Sequence, residues 1–544
     1  MSAAAPDFDD GFDVTGPPVL HGVPFAGRGR FSILSHLRAA HSSGGGLFGF
    51  MTMRESNKLR VQCAEARAEV AAFAWADACW ERPYGVDDDN DDSRVTGNVA
   101  AWRAAFPAAR AVNVSRRKDL CDEDFAHIRG GPGVRLHTVR VRYCGGVTDA
   151  AFVHLRGVHT LDISGCSQET ITDAAFAHLT GIHTLNMGAC TQQTITDAAF
   201  AHLRGIHTLN ISNCGQETIT GAAFVHLRGI YALDMTLCSQ ETIMDAAFAH
   251  LRGIHTLNMM FCNQRQITDA AFSYLHGIHT LNISNCDQRT ITDAAFAHLE
   301  GIHTLDMSDC RQGTITDAAF AHLAGIHTLN MSFCNQPTIT DVAFGHLRGI
   351  HTLDMSHCDQ ATITDAAFAH LRGIHTLNME SCNQATITDA AFAHLRGIHS
   401  LNMESCAQEI ITDAAFAHLA GIHTLNMGHC NQETVTDAAF AHLAGIHALN
   451  MSHCSQRTIT DAAFTHLTGI HTLDMSSCSQ PTITDAALAH LRGVHTLDVS
   501  SCNDRTITRA ALPLLHGVHT LEMRECPPAV AAFLSRAAFA APHA

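Results

Sequence analysis

The chain has 544 residues and a formal net charge of −18, from 52 acidic and 34 basic residues. An acidic chain lacks the basic face with which general nucleic-acid binders and anionic-membrane binders engage phosphates, so we expect neither partner. No stretch approaches the ~20 apolar residues of a membrane span, and the start "MSAAAPDFDDGFDV" lacks the apolar core of a signal peptide. We therefore expect an intracellular protein, with the cytoplasm favoured over the nucleus.

The N-terminal part of the chain divides by composition. Residues 1–30 are rich in Gly, Pro and Asp and are predicted to be disordered. Residues 31–85 carry helix-forming residues and predict a small helical head, and the acidic run "DDDNDD" indicates a solvated linker at 86–96. Residues 97–133 are predicted to form an irregular N-terminal capping segment, in which "LCDEDFAHIRG" is a degenerate copy of a phrase that recurs later.

One 24-residue phrase fills residues 134–526 in about 17 copies. In the copy "IHTLNMESC", Ile374, Leu377, Met379 and Cys382 follow the spacing L-x-x-L-x-L-x-x-C, which is the leucine-rich-repeat signature. The central residues alternate between apolar and polar, which is the period of a β-strand. The first nine slots of each copy therefore predict a strand and the turn after it.

The rest of each copy predicts a short helix. In "TITDAAFAHLRG", Thr388 and Asp389 are residues that accept hydrogen bonds from the free N–H groups of a first helical turn. Phe392 and Leu395 lie three residues apart on one helix face, and Gly397 supplies a left-handed stop. A single copy cannot bury its own apolar face, so neighbouring copies must stack on it.

This pattern resembles the cysteine-containing class of leucine-rich repeats, which has Cys in the ninth slot and "ITD" soon after it. The resemblance implies an α/β solenoid, shaped as a curved horseshoe with parallel strands on the concave face and short helices outside. Curvature is expected because strands stack at ~4.8 Å while packed helices need roughly 8–10 Å. Residues 527–544 predict a short amphipathic helix that caps the C-terminal end of the array.

Cysteine and histidine recur in fixed slots. Sixteen of the 20 cysteines follow the 24-residue step from Cys166 to Cys526. Stacked copies hold their Cβ vectors parallel, a poor disulfide geometry, so we predict buried structural thiols, with redox or zinc chemistry as the weaker alternative. The two histidine columns, on the helix at His370 and at the strand start at His375, predict structural ladders, with metal binding as the weaker alternative.

The sequence contains no P-loop, H-E-x-x-H, G-x-S-x-G or dinucleotide-binding glycine motif. Every Asp–His or Cys–His proximity within the array also recurs in copy after copy, whereas a catalytic site requires a unique constellation. We therefore predict a protein that is not an enzyme and that needs no metal or cofactor.

The slots that vary between copies are the candidate binding surface. The third and fifth slots are nearly always Thr and Asn or Asp, whereas the seventh, eighth and tenth slots vary. We expect these slots on the concave face, where a cluster of apolar residues often marks a partner site. Chance substitution in recently copied repeats is the alternative. The candidate partner-binding residues are Leu237, Met260, Phe261, Phe333, His357, Glu380 and Glu404.

The stretch "LFGFMTMRESNKLRVQCAEARAEVAAFAW" (47–75) resembles an F-box, the helical module that docks a substrate receptor onto a cullin-type ubiquitin ligase. It departs from that family in having no Leu-Pro opening, Ala66 in place of a Trp, and four residues (43–46) that interrupt the expected first helix. The residues that match the docking helices are Leu47, Phe48, Met51, Leu59, Cys63 and Trp75.

The order of the two parts implies a function. An F-box head followed by cysteine-containing repeats is the architecture of substrate-recruiting ligase adaptors, in which the head binds a small adaptor subunit and the repeats bind a protein target. The alternative is a leucine-rich-repeat scaffold or decoy without a ligase link, whose head is a helical cap of the solenoid. The two alternatives differ in whether the head binds the adaptor subunit.

Overall fold

The computed structural model describes residues 95–522, except for 96, 130–135, 503–505, 509–512 and 516. The predicted disordered segment, helical head and C-terminal cap helix lie outside the described residues, as does the acidic linker apart from Val95.

Eighteen short strands form one open parallel sheet, in which each strand pairs with the next along the chain. The register keeps equivalent slots side by side, as at Leu329, which pairs with Leu353. The strands β1–β18 are, in chain order, Ala111–Asn113, Thr138–Arg140, Thr160–Asp162, Thr184–Asn186, Thr208–Asn210, Ala232–Asp234, Thr256–Asn258, Thr280–Asn282, Thr304–Asp306, Thr328–Asn330, Thr352–Asp354, Thr376–Asn378, Ser400–Asn402, Thr424–Asn426, Ala448–Asn450, Thr472–Asp474, Thr496–Asp498 and Thr520–Glu522.

This sheet confirms the predicted leucine-rich-repeat solenoid and the 17 strands of the regular copies. The segment predicted as an irregular cap contributes one more strand, β1, and two helices, Val99–Ala105 and Asp122–Ile128. The degenerate phrase "LCDEDFAHIRG" thus folds as the copies after it do. The horseshoe curvature expected from strand and helix spacing stays a prediction.

Most helices consist of a single turn, because the apolar phrase Ala-Ala-Phe is short and is soon followed by glycine. The α-helices are Val99–Ala105, Asp122–Ile128, Asp149–Phe152, Asp173–Phe176, Asp197–Phe200, Asp245–Phe248, Asp269–Phe272, Asp293–Phe296, Asp317–Phe320, Asp341–Phe344, Asp365–Phe368, Asp389–Phe392, Asp413–Phe416, Asp437–Ala441 and Asp485–Leu488. The 3₁₀-helices are Val153–Leu155, Ala201–Leu203, Gly221–Leu227, Ala321–Leu323, Ala463–Leu467 and 513–515. Gly397 after the helix has φ of 82°, which confirms the predicted left-handed stop.

A hydrogen-bonded clamp joins most helices to the next, the exception within the regular copies being the pair Gly221–Leu227 and Asp245–Phe248, where Gly221 and Met244 replace the Asp and the Thr. The hydroxyl oxygen of Thr388 accepts from the Ala390 N–H, which confirms Thr as the helix cap. The Thr388 N–H and hydroxyl also donate to the two carboxylate oxygens of Asp365 in the preceding copy, both at 2.7 Å. The neighbouring Asp389 likewise accepts from Thr412 of the following copy. The predicted capping role of this Asp is therefore wrong, because its carboxylate stabilises the stack.

The core lies between strand and helix, where Leu377, Met379, Phe392 and Leu395 are each at most 1 % exposed. Cys382 is fully buried beside them, and its thiol donates to the Met355 carbonyl of the preceding copy at 3.0 Å. Burial raises the pKa of these thiols, as at Cys406 and Cys454, where it reaches about 12. The predicted burial of the cysteine column is thus confirmed from Cys166 to Cys478, whereas Cys502 is half-buried and Cys526 lies outside the described residues. The buried thiols are neutral donors at physiological pH.

The histidine column at the strand start forms a continuous stack. Neighbouring rings lie 4.3–4.5 Å apart and nearly parallel, with Tyr231 taking one place in the column. His375 shows a second contact, between Nδ1 and the Thr376 hydroxyl at 3.1 Å. The predicted ladder is confirmed for this column. Several histidines of the column on the helix instead contact the residue before the glycine of the preceding copy, as at His394 Nδ1, which accepts from Arg372 at 3.3 Å, and at His322, which lies 3.4 Å from Glu300.

Candidate partner-binding face

The solvent face of the sheet is built by the third and fifth slots of each strand. In β12, Thr376 and Asn378 are half-exposed, while Leu377 between them is buried. Successive side chains of a strand point to opposite faces, so the same alternation repeats across the array. This polar surface, which we call the sheet face, is the one predicted to carry the partner.

The fifth slot also shapes the turn that follows the strand. The side-chain oxygen of Asn378 accepts from the Glu380 N–H at 3.1 Å. Asp354 forms the equivalent contact with a carboxylate oxygen, which accepts from the Ser356 N–H at 2.9 Å and from the Ser356 hydroxyl at 2.7 Å. The turn requires an acceptor oxygen but not a charge. Asn and Asp are therefore equivalent for the fold at this slot, and they differ only in the charge they place on the sheet face.

The eighth slot has a left-handed backbone. Leu237, Phe261 and Phe333 have φ of 59°, 58° and 59°, a region that costs a bulky L-residue ~1–2 kcal/mol. Other copies place residues that tolerate this conformation there, such as Asn213 and Asn285. The three bulky residues are also exposed, by 47 %, 38 % and 39 % respectively. Neither the backbone nor the core explains their presence.

The candidate residues form two groups. In the apolar group, Leu237, Met260 and Phe261 lie in the turns that follow the adjacent strands β6 and β7, and the Leu237 N–H donates to the Met260 carbonyl at 2.9 Å. Met260 is half-buried, and its N–H donates to the Asn258 side chain. These residues form one apolar surface over β6 and β7.

The second, aromatic–acid group begins three copies further along. Phe333 stacks on His357 with ring centroids 4.2 Å apart, and His357 Nε2 lies 3.7 Å from the Glu380 carboxylate. The other oxygen of Glu380 accepts from Asn402 at 3.3 Å. Glu404 repeats this contact one copy later, with the Asn426 amide at 2.9 Å. The structure therefore joins Phe333, His357 and Glu380 into one chain of contacts and sets Glu404 beside it.

Two features of this face were not predicted from the sequence. The positive φ of the eighth slot was missed, although its frequent Asn, Asp, Ser and Gly residues are the signal of a left-handed conformation. The buried Gln column was missed too. Gln384 donates to the Cys358 carbonyl of the preceding copy at 3.0 Å, in the turn just behind the sheet face. Its periodicity alone could have indicated an inter-repeat contact.

Among the described residues, no group of three or more His, Cys, Asp or Glu side chains is arranged to hold a metal ion. Within that part of the chain, no helix is long and apolar enough to cross a membrane. The six F-box-like docking residues, from Leu47 to Trp75, lie outside the described residues.

Two solved structures of other proteins resemble the fold. The Toll–Spatzle complex of Drosophila matches with a TM-score of 0.55 and 15 % identity, over 76 % of this chain and 60 % of that chain. The TLR13–ssRNA13 complex matches with a TM-score of 0.59 and 18 % identity, over 77 % of this chain and 60 % of that chain. This chain thus spans about three-fifths of the length of each. At such identities the likeness concerns the fold.

Comparison with curated protein sequences gives no match. A family model does match: the BspA-type leucine-rich-repeat region fits in six copies over residues 146–279, 241–375 and 385–511, which is more than half of the chain. The repeat spacing, the parallel sheet and the polar sheet face all agree with a binding scaffold built from such repeats. The chain belongs to the family of BspA-type leucine-rich-repeat proteins.

Proposed function

We propose that this protein binds a protein target on its sheet face, with the apolar group and the aromatic–acid group as its anchors. The observation that carries the proposal is the eighth slot, where Leu237, Phe261 and Phe333 are both strained and exposed. Strain and exposure of this kind persist where a function maintains them. A bound partner would cover the apolar side chains, and the surrounding Thr and Asn columns would supply a polar rim.

A protein target fits this surface better than a nucleic acid does. From the copy of β3 to that of β17, the charged side chains in the third, fifth and seventh slots are carboxylates, as at Asp234, Asp354 and Glu380. Carboxylates repel a phosphate backbone. We accordingly propose neither nucleic acid nor membrane as a partner, and no catalytic reaction.

The test is to trap the target by crosslinking in cells, purify it, and measure its affinity for the chain and for the variant Phe261→Ser with Phe333→Ser. Ser occupies the same slot at Ser381 and Ser405, so the variant should fold. Truncating two anchors should cost at least ~2 kcal/mol, or roughly 30-fold in affinity.

The matched control is Ile410→Thr. Ile410 is 48 % exposed and lies outside the strand slots, where neighbouring copies have Thr. The control should keep full affinity. If the double variant also keeps full affinity with an unchanged melting curve, the anchors are chance substitutions and the proposed site is wrong.

The more specific role that we propose is that of a substrate-recruiting adaptor for a cullin-type ubiquitin ligase. The support is the F-box-like stretch 47–75 and its position ahead of the repeats. Such a protein works inside the cell, and the buried, neutral thiol column suits a reducing compartment, with the cytoplasm favoured. A scaffold or decoy without a ligase link is the alternative function.

Co-purification with the small adaptor subunit of the ligase separates these functions. The full chain should retain the subunit, and the variant Phe48→Asp with Leu59→Asp should lose it while the repeats keep their circular-dichroism spectrum. Burying an apolar side chain contributes ~1.5–3 kcal/mol, enough for a measurable loss. If the full chain does not retain the subunit, the protein is a scaffold or decoy and the sheet-face proposal is unaffected.

A further inference from the structure

Charge is distributed unevenly over the described repeats. In the copies of β3–β18, the third, fifth and seventh slots contain nine carboxylates, and Arg524 of the last copy is their one Lys or Arg. These carboxylates belong to Asp162, Asp234, Asp306, Asp354, Glu380, Glu404, Asp474, Asp498 and Glu522. Because Asn serves the same turn at the fifth slot, the fold does not require the negative charges there.

Most arginines of the same copies occupy a different surface, the slot before the glycine that ends each helix. Arg348, Arg372 and Arg396 lie there on three consecutive copies and are exposed. Each contacts the helix histidine of the next copy, as Arg396 does with His418 Nδ1 at 3.2 Å. Basic groups therefore line the helix ends and acidic groups line the sheet face.

Acidic and apolar side chains are interleaved over β6–β12. Asp234 shares a copy with Leu237, Asp306 lies between the two groups, and Asp354 follows Phe333 by one copy. Neighbouring strands are ~4.8 Å apart. Carboxylates two or three strands apart are therefore ~10–14 Å from each other, more than the Debye length of ~8 Å at physiological salt, so each would attract a separate cation of an extended partner.

The hydrogen bonds within the face leave part of each carboxylate for such a partner. One oxygen of Asp306 accepts from the Ser308 N–H and hydroxyl, which holds the carboxylate in place. One oxygen of Asp234 is held in the same way by Thr236, and its other oxygen accepts from the Asn210 amide at 3.2 Å. Asp309 differs because Arg311 contacts its carboxylate, so Asp309 is not part of the proposed acidic surface.

We propose that the target of the sheet face is a basic protein segment in which Lys or Arg residues alternate with large apolar side chains. This inference rests on the proposed function and adds the chemistry of the partner. Apolar side chains of the segment would cover Leu237, Phe261 and Phe333, and its cations would lie against Asp234, Asp306 and Asp354. Complementary charge of this type raises the association rate and excludes acidic competitors.

The test uses a fluorescent 12-residue peptide of alternating Arg and Leu, and a second peptide with Glu in place of every Arg. Anisotropy with the full chain should show binding of the Arg–Leu peptide alone, weakened about tenfold or more between 50 and 300 mM salt. The variant Asp234→Asn, Asp306→Asn and Asp354→Asn should weaken binding about tenfold. It should still fold, because adjacent Asn residues already occur at Asn426 and Asn450.

The control variant, Glu217→Gln, Glu241→Gln and Glu433→Gln, removes the same charge from exposed turns outside the sheet slots. It should keep the affinity for the Arg–Leu peptide. Equal weakening by both triple variants would show that net charge attracts the peptide, which overturns the inference, as would equal binding of the Glu–Leu peptide.

The affinities of two variants for the trapped target distinguish a failure of this inference from a failure of the proposed function. If Phe261→Ser with Phe333→Ser loses the target while the three Asp→Asn changes do not, the target binds the sheet face but is not basic. If neither variant loses the target, both proposals are wrong.

Discussion

The buried side of each repeat and its sheet face come from the same 24-residue phrase, yet they tolerate change very differently. Behind the sheet, slots such as those of Phe368, Cys382 and Asp365 keep nearly the same residue from copy to copy. On the sheet face, the seventh and eighth slots range from Gly to Phe. A buried residue contacts the copies before and after it, so a change there disturbs two interfaces. The residues that identify a partner can therefore vary only where these contacts are absent.

The largest effect on stability is expected from a substitution that leaves a cavity in the buried side of a repeat. Phe368 is fully buried in a central copy, and Phe368→Ala should lower the free energy of unfolding by about 3–5 kcal/mol. Chemical denaturation measures this loss. The control Val342→Ala changes a side chain that is 61 % exposed, in a slot that is Ala in most copies, and should shift the midpoint little. Similar losses in both variants would contradict the contrast between the two regions.

The clamp between copies should give the next largest effect. Asp365→Ala removes the acceptor of two Thr388 hydrogen bonds. Hydrogen bonds to a charged group contribute ~1.5–3 kcal/mol, so a loss of about 2–3 kcal/mol in unfolding free energy is expected. The exposed Asp359 serves as the control through Asp359→Asn. If Asp365→Ala behaves like this control, the clamp does not stabilise the stack.

The histidine stack should make stability depend on pH. Desolvation, and then the neighbouring histidines, lower the pKa of His303, His375 and His447 below the ordinary value of 6.5. The unfolded chain therefore takes up protons first as the pH falls, and stability is lost as the pH drops through about 6.5 and below. The melting temperature should be lower at pH 5.5 than at pH 7.5.

A variant with Tyr in place of His303, His375 and His447 tests whether the histidine stack causes this pH dependence. Tyr231 already stacks between two histidines with centroids 4.5 and 4.4 Å away, so the substitution keeps the column and removes three titrating groups. The variant should lose less melting temperature between pH 7.5 and 5.5 than the parent chain. An identical loss would show that the stack does not cause the acid sensitivity.

The smallest effect on stability is expected on the sheet face. Phe261→Asn places a residue that tolerates positive φ in the left-handed slot, so the unfolding free energy should stay constant or rise by up to about 1 kcal/mol. Affinity for the target should fall in the same variant. A clear loss of stability would mean that Phe261 belongs to the core, and the contrast between the two regions would fail at that position.

The sequence predicted the fold well because each copy repeats the same local signals. The spacing of Leu377 and Met379, the capping Thr388 and the glycine stop at Gly397 all have a short-range cause, and the structure confirms each of them. The clamp was missed because Asp389 and Thr412 are 23 residues apart and meet only after stacking. A local reading assigns such an Asp to its own helix.

The candidate face was predicted less completely. Alternation alone placed Phe261 and Phe333 in variable slots, but the left-handed backbone and the stacking of Phe333 on His357 depend on the geometry of the turn. The acidic character of the face needed the register of the strands, which brings slots 24 residues apart side by side. The identity of the target depends on a second molecule, so no local pattern specifies it.

The clamp between helices also bears on how such a chain changes length. If the 24 residues between two equivalent points were removed, Asp365 would meet Thr412 in place of Thr388. Because the two Thr residues offer the same hydrogen-bond donors, the two rejoined surfaces would match. Unequal recombination between the near-identical copies would therefore lengthen or shorten the array by whole repeats without an unfolded junction. Gain or loss of a repeat would move Phe333 relative to Phe261 by one strand, so copy number itself would tune the spacing of the anchors.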